Sequence, residues 1–338
     1  MKLGLDGLNF IEYSAARKAL AASGKLLDMG EHNLYASLRQ SHPGKFDPIA
    51  PSSDPKSQYR CHVAELFVER WGMPFAEKAR ASVCEGVRAA LGAVFSMLAA
   101  QGRSILIPSD VYPEYLALAK RSGVRSAGYE ARRGAPSAED LAGVDAALVC
   151  DPLKPWGGSL GEAEASRLSA WAMARPEERL LVADCAYGID DQGAGKIWRD
   201  DRSALVLSSI SKGWLAPRRA GCAVAPDAWV ERVRTAIGSL PKNEDGLRQA
   251  YACLLAHPGR PAEVALAVGE LVASSTLRLG GDAKPLAPAG YFCRSEEPAD
   301  EWLRRGVLAI PASVFGSSER SSFLSVLTPV VPSGAARG

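Results

Sequence analysis

The chain has 338 residues, 47% of them hydrophobic and 23% charged, an ordinary globular composition. Its length exceeds what one small core organises, so a large domain and a smaller one are expected. A net charge of +2, with acids and bases interspersed, points to neither nucleic acid nor a membrane surface, and no apolar stretch reaches the ~20 residues of a membrane span.

Residues 1–45 combine a helical start with the stretch GEHNLYAS, and the start lacks the apolar core and cleavage site of a signal peptide. FDPIAPSSDPKS (46–57), dense in Pro, Ser and Asp, reads as a loop. Apolar residues three and four apart predict helices over 60–71 and 86–100. SILIP (104–108) is a buried strand with a proline stop, and YPEYLALAKRSG (112–123) is a helix closed by glycine. AALVC (146–150) is the next strand and EAEASRLSAWAMA (162–174) the next helix; LLVAD (180–184), ALVLSS (204–209) and GCAVA (221–225) complete the strands. Strands apolar on both faces, alternating with helices, demand an α/β arrangement with a mainly parallel sheet covered on both sides. Asp110, Asp151, Asp184 and Ser209 fall just past strand C-terminal ends, the edge where open α/β sheets bind ligands.

After about 227 the pattern changes: helices over 227–238, 245–256 and 261–274 precede short strands at YFC (291–293), VLAIP (307–311) and FLSVL (323–327). The expected division is a large domain over 46–227 and a smaller α+β domain built from 1–45 and 228–338, with the tail PSGAARG frayed. The seven cysteines form no CxxC pair and the four histidines have no metal-ligand spacing. Both observations disfavour a disulfide framework and a metal site, and favour reduced thiols in a cytoplasm.

The most specific motif is SSISKGWLAPRRAG (208–221), where Lys212 directly follows an apolar strand and Arg219-Ala-Gly comes seven residues later. LLVADCAYGID (180–190) sets Asp184 and Tyr187 at a strand end. ASVCEGVRAALGAV (81–94) opens a helix at Gly86-Val87-Arg88, and SDVYPEY (109–115) and CDPLKPWGG (150–158) follow strands. The ordered set resembles the fold type I enzymes dependent on pyridoxal 5′-phosphate (PLP), the class I/II aminotransferase family, over roughly 25–328.

The resemblance implies Lys212 as the Schiff-base lysine, its amine made nucleophilic by desolvation. Ser209 and Arg219 would hold the cofactor phosphate, with Arg218 as a substitute because the spacing is one residue short. Asp184 would pair with the pyridine nitrogen, with Cys185 where the family commonly has Glu, and Tyr187 would donate to the phenolic oxygen. The plainer reading of Asp184 is a helix N-cap. Gly86 and Val87 would cradle phosphate at a helix N-terminus, while Arg88 either joins them or forms a surface ion pair. Tyr112 would stack on the ring, and Tyr115 fits a buried aromatic.

Two departures stand out. Lys154 and Trp156 replace the Asn and Thr of the family's Asn-Pro-x-Asn-Pro-Thr-Gly, while the prolines and Gly157 fit. Lys154 would donate to the cofactor oxygen or face a substrate carboxylate. The strand SSFLSVL (321–327) lacks the family's substrate-carboxylate arginine, and Arg320 just upstream is a substitute or an exposed loop residue.

By resemblance the chain is a homodimeric PLP aminotransferase acting on an amino acid or amine with an oxo acid, with active sites shared between subunits. Tyr59 would then be the tyrosine reaching the neighbour's phosphate. The alternatives are another PLP reaction (elimination, replacement or cyclisation) and a catalytically silent PLP-binding module. No P-loop, dinucleotide fingerprint or hydrolase nucleophile elbow competes; GAGKIW (193–198) lacks the required spacing.

Overall fold

The computed structural model describes residues 4–30, 33–52, 59–71, 80–188, 196–199, 202–240, 243–279, 284–285 and 291–327. The loop expected over 46–57 is covered only to Ser52, and the tail PSGAARG and the first half of GAGKIW lie outside the described residues. Two compact units emerge, one of 1–47, 155–157 and 266–338, the other of 48–154 and 158–265.

The first unit begins with α1 (Phe10–Ala21), β1 (Leu27–Asp28) and α2 (Leu34–Ser41). Asn9 caps α1 by accepting from the N–H groups of Ile11 and Glu12, while Glu12 closes a capping box.

The second unit carries α3 (Tyr59–Arg70), β2 (Ala81–Cys84), α4 (Val87–Ala100), β3 (Ser104–Pro108), α5 (Glu114–Ser122) and β4 (Arg125–Tyr129). It continues through β5 (Ala146–Cys150), α6 (Glu162–Met173), β6 (Leu180–Cys185), α7 (Lys196–Arg199), β7 (Ala204–Ser208), α8 (Ile210–Gly213) and β8 (Gly221–Val224), then α9 (Val230–Gly238) and α10 (Glu244–Ala256). Its seven strands form one sheet in the order β2-β8-β7-β6-β5-β3-β4. β3 to β7 are mutually parallel where they pair, whereas β8 runs antiparallel to both its neighbours. β5, β6 and β7 are buried at every position, the pattern of central strands covered on both faces. Edge strand β4 is exposed at four of five positions; its polar RSAGY carries no apolar run, so periodicity passes over it.

The division of the chain differs from the sequence expectation: α9 packs on α4 and α10 on α3, so both helices stay with the larger unit and the break follows Ala265. Apolar faces make the assignment; Val233 and Ile237 of α9, and Ala250, Cys253 and Leu254 of α10, are buried.

α11 (Arg260–Leu279) leads from one unit into the other. The first unit then adds β9 (Lys284–Pro285), β10 (Phe292–Ser295), α12 (Ala299–Arg304), β11 (Val307–Leu308), β12 (Ile310–Pro311) and β13 (Ser322–Ser325). Its four-stranded antiparallel sheet has the order β12-β13-β10-β9, and β1 pairs in parallel with β11. Among the described residues, no helix is long and apolar enough to cross a membrane.

Candidate active site

The C-terminal edge of β5, β6 and β7 collects the groups with unusual electrostatics. Register aligns Cys150 with Asp184 and Cys185 with Ser208, so the loops after three adjacent parallel strands deliver Lys154, Tyr187 and Lys212 side by side. A parallel sheet ends all its strands at one edge, which brings residues far apart in sequence together.

Lys212 sits in the short turn of α8. Ser209 caps that turn, its hydroxyl accepting from the Lys212 N–H at 3.2 Å. Ser211 clasps the far side of the loop: its hydroxyl donates to the Ala220 carbonyl at 2.9 Å and accepts the Ala220 N–H at 2.8 Å. Residues 209–220 are therefore closed into a loop that fixes the lysine's backbone. Lys212 Nζ lies 4.4 Å from the centre of the Tyr187 ring. Lys154 Nζ lies 3.9 Å from the same centre and donates to the Tyr187 hydroxyl.

Asp184 is buried at the end of β6. One carboxylate oxygen accepts from the Tyr115 hydroxyl at 2.6 Å and the other from the Ala186 N–H at 2.9 Å. The second bond is the local turn-capping role available to any Asp at a strand end; the first is tertiary. Desolvation raises the Asp184 pKa against the opposing pull of Tyr115, Ala186 N–H, Lys212 and Lys154. Desolvation lowers the pKa of Lys212, with Asp184 resisting and Arg219 assisting. Lys154 is driven well below the ordinary lysine value by desolvation and then by the charge of Lys212. Cys150, pushed up to about 12 chiefly by burial, stays a neutral thiol, and burial likewise keeps Tyr115 protonated.

Magnitudes decide what these charges do. A cation–π contact supplies about 0.5–2 kcal/mol, whereas withdrawing an ammonium from water costs several kcal/mol. Lys212 and Lys154 bear on the Asp184 carboxylate and Arg219 bears on Lys212, so cationic groups gather around a desolvated acid. Such a place attracts an anionic ligand.

A second feature fits a phosphate-bearing group. Gly86, at φ +86°, turns the chain into α4, whose first turn has no side-chain cap. A Cβ on Gly86 would stand 3.8 Å from Cβ of Arg219, so the arginine rises beside the helix N-terminus. Gly221 makes this approach possible: a Cβ there would meet the Ser208 carbonyl oxygen at 2.8 Å and Gly86 Cα at 3.1 Å. Val87 is buried behind the turn.

Other expected residues take different places. Arg88 forms an ion pair with Glu114 at 2.8 Å, which Arg121 shares at 3.2 Å; of its two readings, the surface pair is present. Exposed Arg218 pairs with Asp245 at 3.4 Å. Tyr112 packs edge-on against Tyr115 with ring centres 5.2 Å apart, and burial raises its pKa. Tyr59 is buried, edge-on to Tyr251 with ring centres 5.5 Å apart. Arg320 is exposed. In the other unit, Trp156 lies edge-on to Phe323 at 5.0 Å, with the Arg294 guanidinium 5.6 Å from the Trp156 ring.

Sequence reading missed the roles of Tyr115 and Cys150. The signal for Tyr115 was its position at the start of α5: a tyrosine buried there needs a partner for its hydroxyl, and Asp184 is that partner.

The family model of aminotransferase class I and II matches residues 22–256, well over half the chain. The chain belongs to the aminotransferase class I and II family. Members are PLP-dependent transferases, and the two half-buried lysines, the buried Asp184 carboxylate and the Gly86 turn are residues that fit PLP. Three solved structures share the fold. They are substrate-bound BacF from Bacillus subtilis (19% identity, 97% of this chain and 94% of that one, TM-score 0.72), a probable N-succinyldiaminopimelate aminotransferase from Thermus thermophilus (18%, 94% and 94%, 0.71), and a double mutant of Thermus thermophilus aspartate aminotransferase (18%, 97% and 93%, 0.69). No curated protein matches.

Proposed function

We propose that this class I/II family member is an aminotransferase for an amino acid or amine and an oxo acid, with Lys212 as the residue that holds PLP covalently. The observation that carries the reading is the placement of Lys212 at one sheet edge, over the Tyr187 ring and within electrostatic reach of buried Asp184. When bound, PLP supplies a ring that accepts electrons from the substrate Cα. Asp184 is the group to hold a proton at the ring nitrogen, and its bond from Tyr115 keeps it oriented. Tyr187 and Lys154 are the donors for the phenolic oxygen, and Tyr112 is the aromatic against the ring. Gly86, Val87, Ser209 and Arg219 are the phosphate residues; Arg88 joins them only by releasing Glu114. Lys212 Nζ, lowered toward neutrality, suits the base that takes the Cα proton.

A homodimer with shared sites and a cytoplasmic setting complete the proposal; the seven cysteines are free thiols, which suits a reducing compartment.

One observation favours a second reading. β13 contains no arginine, and Arg294 on neighbouring β10 is engaged by Glu319 at 3.0 Å and by Glu296 at 3.4 Å. A substrate held without that cation suits elimination, replacement or cyclisation on the same lysine. Borohydride reduction of the PLP-loaded chain, followed by peptide mapping, should put the adduct on Lys212, and an adduct elsewhere sinks the assignment. Addition of an amino acid, then an oxo acid, should bleach and restore the cofactor absorbance. Ammonia release without an acceptor indicates the second reading instead.

A further inference from the structure

The site holds two lysines where the chemistry of one aldehyde needs one. Their placement is not incidental: Lys154 comes from the loop after β5 and Lys212 from the loop after β7, and both nitrogens are brought onto Tyr187 between them. Tyr187 also pins Lys154 by its hydroxyl, so that amine is oriented rather than left to wander. We propose that Lys154 is a second aldehyde-reactive amine of this site, able to take the covalent place of Lys212. The inference rests on the PLP reading of the site, and the ligand class it adds for Lys154 is an aldehyde.

Only a neutral amine attacks a carbonyl. Among the described residues, the charges that act on Lys154 come from Lys212, Cys150 and Asp184, and its amine donates to the Tyr187 hydroxyl. Cys150, with its pKa raised to about 12, contributes no negative charge. Asp184 is the one carboxylate among them, and Tyr115 and the Ala186 N–H already occupy its two oxygens. Burial and the Lys212 cation thus act together on Lys154, against the weaker attraction of the ring face. Both amines are shifted toward their neutral forms, Lys154 first by burial and then by the charge of Lys212.

The covalent step balances without an added oxidant or reductant. The Lys154 nitrogen lone pair adds to the aldehyde carbon, the carbonyl oxygen departs as water with both amine protons, and a carbon–nitrogen double bond remains.

The test uses the full chain with PLP as probe at about pH 7 and about pH 10, two values bracketing the titration of a perturbed lysine. Borohydride trapping and peptide mass mapping are applied to the wild type, Lys212→Arg, Lys212→Met, and Lys212→Arg combined with Lys154→Met. In Lys212→Arg, which keeps the like charge, the adduct should appear on Lys154 at neutral pH. In Lys212→Met that charge is gone, so trapping on Lys154 at neutral pH should be weaker than in Lys212→Arg and should recover in alkali. The double variant should trap at neither position. Absence of a Lys154 adduct from the folded single variants at both pH values, or adducts only on exposed lysines such as Lys25 and Lys120, overturns the proposal. Both replacements keep a long side chain, and if one fails to fold the other's map decides. The wild-type adduct tests the reading of Lys212 separately, so failure of one assignment is visible without the other.

Discussion

Two groups of charged side chains, one in each unit, obey opposite rules. At the edge of the seven-stranded sheet, Lys154 and Lys212 bear on the carboxylate of Asp184, and the lysines and the acid are all shifted toward their neutral forms by burial. In the smaller sheet, Arg294 is one cation shared by Glu319 and Glu296, half-exposed and balanced from within. The second arrangement draws its counter-charge from carboxylates of its own unit. The first is satisfied only by a ligand that brings negative charge, and the difference separates a binding site from a structural ion pair more sharply than residue type does.

Substitution of the central acid should break the contrast most strongly. Asp184→Ala leaves both lysines without their counter-charge, and steady-state amino transfer should fall by about 10²–10³-fold, the scale of losing a preorganised charge at the reacting centre. An activity within a few-fold of wild type would mean that Asp184 serves only as the turn cap.

The backbone supporting the phosphate turn comes next. Gly221→Ala forces a methyl to within 2.8 Å of the Ser208 carbonyl oxygen. A loss of roughly 1–3 kcal/mol is expected from urea unfolding, together with weaker PLP binding as Gly86 and Arg219 are pushed apart.

The Tyr115–Asp184 bond should show a similar or smaller effect. Tyr115→Phe strands a buried carboxylate oxygen, with an expected cost of about 1–3 kcal/mol. It also removes a bond that lowers the Asp184 pKa, so the acid should titrate still higher by carboxylate infrared absorption.

The pH dependence of stability sharpens the comparison by its sign. The folded-state lysine pKa values lie below the unfolded value of 10.5, so the unfolded chain binds more protons between the two, and stability should rise with pH across that interval. Asp184, with its pKa raised above 3.8, acts the other way, and stability should fall as pH climbs through the interval above the ordinary carboxylate value. Urea midpoints measured in alkali should show a flatter rise for Lys154→Met than for wild type. The smallest effect belongs to the balanced pair: Glu319→Gln should change stability by no more than about 1 kcal/mol and leave the cofactor absorbance untouched.

Much of this was legible in the chain itself. β3, β5, β6 and β7 were visible as apolar runs, and Lys212, Asp184, Tyr187 and Gly86 stood out because the motifs that hold them resemble those of the family. Edge strand β4 escaped notice because its residues are polar. α9 and α10 read as the start of a new domain because periodicity shows that a helix has an apolar face without showing what covers it. For Arg88 the local pattern permitted two readings, and the pair it makes with Glu114 on the next helix is visible only in the structure.

Sequence alone determined the alternation of strand and helix and the polar residues at the strand ends, since both follow from side-chain periodicity and short-range turn chemistry. Only the tertiary structure decided that Tyr115 would hold Asp184, that Gly221 would admit the backbone of Gly86, and that two lysines from different loops would meet on one tyrosine ring. Those facts depend on strand order and on the exclusion of water, and the cost of burying charge cannot be read from a chain until its neighbours across the sheet are in place.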